Sequence, residues 1–325
     1  MKERSVQHVP GKVILIGEHA VLHAQPAIAT CIPPRLTLTA TLGPPGHGGR
    51  PADTRLRDAL ATAAAFFGLD PRRITIRTRS QLAIGAGLGS SAALSVALVR
   101  ALADLCGTAS EGTQLLQAAT DVEHAFHGRS SGLDIHAVAS GGLIWYEPGP
   151  NPQASPLAVP EPFDLVVAMS GQRRSTAAPV RALAPAGGSA AAMARLGARS
   201  RQARTALISG ETEALGRAMN GAHEELIALG VSTPVLDRMV TLARAAGAVG
   251  AKLTGAGHGG AVIALAPTHT RQVLAALRTA GFDTFLLRVP TAAVDGAPCR
   301  PPPAGRPPPR STLTPATDRH VRWPS

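Results

Sequence analysis

Aromatic residues are scarce in this sequence: two tryptophans, one tyrosine and six phenylalanines in 325 residues. Proteins that hold single-stranded nucleic acid stack bases on aromatic rings. The scarcity therefore weighs against that class, even with a formal net charge of +11. The positive charge is mostly arginine scattered along the chain. Residues 299–325 hold Arg300, Arg306, Arg310, Arg319 and Arg322 against Asp318 alone. A basic surface that suits anionic substrates explains this at least as well, and a solvated face with no partner is the plain default. Cysteine is scarce too. Cys31, Cys106 and Cys299 are odd in number and show no CxxC or zinc spacing, which excludes a disulfide framework and points to a reducing compartment. No stretch of about 18 residues is free of both charge and polar breaks. The best, Ala92–Leu105, is interrupted by Arg100 and Asp104, and Val13–Ile16 is too short for a signal segment. The expectation is a cytoplasmic protein with no membrane partner.

What is present is small and apolar. Hydrophobic residues make up 45%, with 34 glycines and 28 prolines. Alanine, leucine and valine must do the packing, and the chain is long enough for one large domain or two fused lobes. The prolines cluster near 44–51, 148–162 and 290–325, as loops and a tail. Residues 12–16, 27–42, 73–80, 140–146, 163–169, 261–266 and 282–289 read as strands; within the second, Leu36, Leu38, Ala40 and Leu42 alternate with Arg35, Thr37, Thr39 and Thr41. Residues 53–67, 91–105, 114–126, 190–207, 211–229, 232–246 and 271–280 read as helices. Residues 43–51 read as a loop, 148–162 as a linker and 291–325 as an extended disordered tail. Strands and helices mix without regular alternation, which favours an α+β protein of two lobes.

Four segments carry chemistry. GAGLGSS (85–91) leads into a helix; glycines let backbone amides approach an anion, and a helix N-terminus favours negative charge. It is neither a Walker A loop nor a dinucleotide fingerprint, and a glycine turn with a plain helix cap is an equal reading. PGKVILIGEH (10–19) places Lys12 before a strand and Glu18–His19 after it. Five strand residues separate their ends by about 15 Å, so the two need not share a subsite; a surface lysine and a solvated turn are the ordinary reading. DVEHAFHGRSSGLD (121–134) offers Glu123 on a helix and Asp134 after a Ser-Ser-Gly turn. One carboxylate can hold Mg²⁺ and another can take a hydroxyl proton, although an Asp in a turn is commonly a cap. His124, His127 and His136 show no spacing that suits a metal. In KLTGAGHGGAVIAL (252–265) a second glycine loop runs from Thr254 to Gly260 and leads into a strand. Two glycine loops, a lysine and two carboxylates form a constellation that is hard to produce by chance.

PGKVILIGEHAVLHAQPA, GAGLGSSAA and KLTGAGHGG resemble, in order, the three motifs of the GHMP small-molecule kinases, and most closely those acting on mevalonate. The resemblance spans roughly residues 8–290 and stops before the tail. It implies a two-lobed α+β fold: a ribosomal protein S5 domain 2-like lobe over 1–160 and a ferredoxin-like lobe over 161–290. It implies phosphoryl transfer from ATP to the 5-hydroxyl of mevalonate, in isoprenoid precursor synthesis. Asp134 would be the catalytic carboxylate, with Lys12 beside the transferring phosphate. Gly85, Ala86, Gly87, Leu88, Gly89, Ser90 and Ser91 would cradle the ATP phosphates, and Ser91 and Glu123 would hold Mg²⁺. Glu18, His19, Thr176, Gly255 and Ala256 would line the substrate pocket. Two positions depart from the pattern: Gln81–Ile84 lacks the proline that commonly precedes the phosphate loop, and His258 stands where glycine is common. ATP and mevalonate are the expected partners, and a homodimer is allowed. The rivals are another GHMP kinase, with Arg173–Arg174 suiting a phosphorylated acceptor such as phosphomevalonate, or a non-catalytic basic nucleic-acid-binding protein on this fold.

Overall fold

A computed structural model describes residues 2–44, 53–83, 85–109, 111–127, 130–172 and 186–291. Thr176, Arg173–Arg174, Ile84, most of the 43–51 loop and the tail from 292 lie outside the described residues.

The first sheet has five strands, all paired antiparallel: β1 (Arg4–Ile16), β2 (Ala27–Leu42), β3 (Ile74–Ser80), β4 (Leu143–Glu147) and β5 (Gln153–Pro156). β2, the period-two segment, has 16 residues and is long enough to pair with β1 on one side and share the other between β3 and β4. Its pairing with β1 jumps from Pro10–Arg35 to Gly11–Ile32, which leaves Pro33 and Pro34 outside the ladder as a bulge. Proline has no N–H to give the ladder, so a bulge is where a strand tolerates it. Four helices complete this lobe: α1 (Thr54–Phe66), α2 (Ser90–Cys106), α3 (Thr113–His127) and α4 (Leu133–Ser140). Asp53 caps α1 by accepting from the Arg55 and Leu56 amides. α2 is apolar on nearly every side; it packs on β1 and β2 and is flanked by the other three helices. A central helix must be apolar all round, and alanine at 92, 93, 97 and 101 lets its neighbours approach.

The second sheet runs β7 (Gly250–Thr254), β8 (Ala261–Leu265), β6 (Phe163–Met169), β9 (Asp283–Val289), again antiparallel. Helices α5 (Ala186–Ser209), α6 (Thr212–Ala228) and α7 (Pro234–Ala245) follow β6, and α8 (Thr270–Thr279) joins β8 to β9. Strand pairing and connection order are those of a ferredoxin-like unit. Thr233 caps α7 by accepting from the Leu236 amide, with Pro234 at the first helical position.

Three sequence expectations need correction. The 148–162 segment is not all linker: Gln153–Pro156 adds an edge strand to β4. Residues 133–140 form α4, so Asp134 stands in the first turn of a helix instead of a loose turn. Gly250–Thr254 is a strand, where the glycine-loop reading had absorbed its end. Among the described residues no helix is long and apolar enough to cross a membrane.

Candidate active site

Lys12 lies in β1, and its surroundings explain why it is not a surface lysine. Its backbone N–H donates to the Leu88 carbonyl at 2.9 Å, tying the strand to the first glycine loop. Gly89 has φ +76, and a Cβ there would stand 2.7 Å from Lys12 Cγ. Glycine is required both for that left-handed backbone and for the passage of the lysine stem. The stem is thus enclosed, and the ammonium emerges 2.9 Å from Asp134 Oδ2. The lysine side chain is 2% exposed and the aspartate 32%, so the pair is sealed on one side and open on the other.

The loop leads straight into α2. Its N-cap is Gly89, with no side-chain cap, which makes Ser90 and Ser91 the first helical residues. The plain-cap reading of these serines is therefore not what forms. The α2 N-terminus is left as an anion-favouring end. Ser91 Oγ instead donates to Glu123 Oε1 at 3.0 Å. Glu123 sits on α3, buried. Burial, and next the neighbouring Asp134 carboxylate, push its pKa up to about 8, against the opposing pull of the Ser91 hydrogen bond and Lys12.

Asp134 is aimed by the turn before it. The Ser130 and Ser131 hydroxyls accept from the Gly132 and Leu133 amides. The only tyrosine of the chain, Tyr146, reaches from β4 and donates its hydroxyl to the Ser131 carbonyl. Burial pushes that phenol up to about 12, which keeps it a donor. Its position behind the SSGLD turn has no signal in the sequence.

Glu18 and His19 occupy the turn after β1, and they meet the second lobe. Glu18 is buried, and Lys252 Nζ donates to its Oε1. The ordinary reading of Glu18 as a solvated residue does not hold. His19 Nε2 bonds the Ala256 carbonyl at 3.0 Å, and Thr254 Oγ1 both donates to Ile14 O (2.9 Å) and accepts from Ile14 N (3.0 Å). Gly255 has φ +85 and Ala256 is exposed at the loop's tip. His258 holds φ +54, a region that suits glycine better, with its amide bonded to the Val231 carbonyl at 2.8 Å. Lys252 was missed as a site residue because its partner is 234 residues away.

Lys12, Ser91, Glu123, Asp134 and the 85–91 loop thus come together, and Glu18, His19 and Ala256 form an adjoining cluster across the lobe boundary. Thr176 is outside the described residues. No group of three or more His, Cys, Asp or Glu side chains among the described residues could hold a metal; any cation here would rest on the carboxylates and the serine.

The chain is similar to known proteins over most of its length. Residues 55–142 match the family model for the GHMP kinases N terminal domain, and residues 203–283 that for the GHMP kinases C terminal. The chain is 34% identical to the mevalonate kinase of Pyrococcus horikoshii, over 86% of this chain and 94% of that one. It is 33% identical to the mevalonate kinase of Thermococcus gammatolerans, over 88% and 96%. The crystal structure of L. major mevalonate kinase in complex with R-mevalonate superposes with a TM-score of 0.76 at 28% identity, covering 90% of this chain and 99% of that one. Both family models match, and identity above 30% extends over most of this chain and of its relatives, so the chain belongs to the GHMP kinase family.

Proposed function

We propose that the chain transfers the γ-phosphoryl group of ATP to the 5-hydroxyl of mevalonate. The observation that carries the chemistry is the half-open Lys12–Asp134 pair beside the uncapped N-terminus of α2. The substrate reading draws on the likeness to mevalonate kinases over 86–88% of the chain.

Phosphoryl transfer asks for in-line placement and charge neutralisation. The amides of Gly85–Ser91 and the α2 N-terminus would face the phosphates of ATP. Asp134 accepts the hydroxyl proton as the acceptor oxygen bonds to Pγ and the bond from Pγ to the ADP oxygen breaks. The Lys12 ammonium, 2.9 Å from Asp134 Oδ2, orients that carboxylate and offsets charge on the moving phosphoryl group. His19 and Ala256 border the acceptor pocket, with Glu18 behind them.

The donor set fits a hard divalent cation, proposed as Mg²⁺: Ser91 Oγ and the Glu123 carboxylate supply oxygens, and a buried carboxyl with a pKa near 8 is one that a cation would hold ionised. When bound, the ion neutralises phosphate charge. The lobes divide between residues 160 and 161, ahead of β6. The protein is proposed to work in the cytoplasm on small molecules, without nucleic acid or membrane as partner.

A coupled ADP-release assay with Mg-ATP over mevalonate, phosphomevalonate, homoserine and sugars tests the reading. Highest kcat/KM on mevalonate is expected. Preference for any other acceptor overturns the substrate assignment, and full activity in Asp134→Asn overturns the site.

A further inference from the structure

The chain makes three long-range connections between the start of the second glycine loop and the end of β1. All three come from alternate residues. Lys252 Nζ donates to Glu18 Oε1, Thr254 Oγ1 bonds both backbone groups of Ile14, and the Ala256 carbonyl meets His19 Nε2. Residues two apart on a strand share a face, so Lys252 and Thr254 of β7 both point toward β1 and the turn after it, and the loop beyond β7 adds the backbone contact of Ala256.

That turn needs outside support. His19 is held at φ +61 and ψ −45, a backbone conformation that is strained for a residue with a Cβ. Its own bonds are local, from Ala20 N to Glu18 O, Val21 N to Gly17 O and Leu22 N to His19 O. Gly17 lies against Ala27, where a Cβ would come within 2.6 Å, so the turn cannot shift in that direction. On the other side stands Lys252, which is fully buried and also donates to the Leu253 carbonyl at 2.7 Å. An apolar pair would seal such an interface at least as well as an ion pair does. Glu18 Oε2 is buried without a hydrogen-bond partner, so the arrangement is not optimised for stability alone.

We propose that Lys252 is a positioning residue for the acceptor: by fixing the Glu18 carboxylate from the second lobe, it sets where the His19 imidazole stands. The inference rests on the phosphotransfer reading above. Nucleotide binding does not pass through this brace, because the 85–91 loop belongs to the first lobe and is tied to β1 through Lys12 N and Leu88 O. Lys252 therefore governs the acceptor side of the reaction.

The test is steady-state kinetics on the full chain, with the melting temperature measured for every variant. Lys252→Met leaves a buried unpaired carboxylate and is at risk of misfolding, so the decisive variant is the neutral pair Glu18→Gln/Lys252→Met. Positioning predicts that this variant melts near the wild type and raises the KM for mevalonate about tenfold or more, leaving the KM for ATP within about twofold. In a His19→Ala background the same pair should change the mevalonate KM by less than about twofold, because the residue through which it acts is gone. Unchanged mevalonate KM in the neutral pair, equal rises in both KM values, or a full additional loss in the His19→Ala background would each overturn the proposal. If the wild type itself turns over none of the acceptors, the phosphotransfer reading fails. An active wild type with an unaltered neutral pair fails this inference alone.

Discussion

Lys12 and Lys252 are alike in most respects that a sequence shows. Each follows a small residue, each lies in a strand near a glycine loop, and each ends on one carboxylate. They differ in what lies beyond that carboxylate. Asp134 is 32% exposed, so the first pair faces a space that a substrate can enter. Glu18 is 1% exposed and Lys252 0%, so the second pair is closed on every side. The same chemical pair is thus available for reaction in one lobe and serves as a joint between lobes in the other. Burial of the acid, more than of the base, separates the two uses. Burial lowers the basicity of Lys252 and Glu18 opposes that shift, which makes each partner costly to remove.

The largest effect is expected at the open pair. Asp134→Asn should lower kcat by about 10²–10⁴-fold, the usual contribution of a positioned acid–base group, with little change in melting temperature. A retained kcat would move the chemistry elsewhere. The sharper comparison is between the two lysines. Lys252→Met strands a sealed carboxylate, which costs about 3–5 kcal/mol of stability. Lys12→Met leaves Asp134 with access to water and should cost far less stability while still depressing kcat. Thermal melts and kcat measured on both variants check this. Equal loss of stability in the two would remove the distinction drawn from their exposure.

Glu123 extends the comparison to pH. Its pKa stands near 8 in the folded chain and near 4.5 when unfolded. Between those values the native state binds more protons than the unfolded one. Without divalent cation, stability from this group is therefore full at low pH and is lost as pH rises from about 5 to 8. A bound cation needs the ionised carboxylate, so metal-nucleotide binding should strengthen over the same range. Melting curves in chelator and with Mg-ATP, from pH 5 to 8.5, should slope in opposite senses, and Glu123→Gln should abolish the difference. Parallel curves for the wild type would show that Glu123 does not face the ion.

Much of the framework was legible because its signals are local. The period-two alternation of residues 36–42 marks β2, and Asp53 and Thr233 mark the starts of α1 and α7. The missed elements are short ones whose pattern is swallowed by their neighbours. α4 has eight residues between Gly132 and Gly141, too few for a helical period to show. β7 is wholly buried, so it has no alternation, and it runs directly into glycines. Site residues followed the same rule. Lys12 and Ser91 stand in the motifs that carry the family resemblance, and Glu123 and Asp134 stand in the segment that follows the second of them. Lys252 and Tyr146 act on partners reached only through the tertiary fold, so nothing near them in sequence declares the contact.

The smallest effect is expected where the second glycine loop departs from the family pattern. His258 holds φ +54, and glycine there would remove about 1–2 kcal/mol of backbone strain. The same change gives the unfolded chain more freedom, which opposes folding by about 0.4–1 kcal/mol. The two contributions largely cancel, so His258→Gly should shift the melting temperature by no more than about 4 °C. Its consequence should appear on the acceptor side, because the loop also carries Ala256, the partner of His19. The loop is proposed above to border the acceptor, and an imidazole there adds bulk that glycine lacks. The variant is therefore expected to accept bulkier hydroxyl compounds in the ADP-release assay while keeping its KM for ATP. If the ATP side changes instead, the second loop serves the nucleotide, and the division of labour between the two loops must be redrawn.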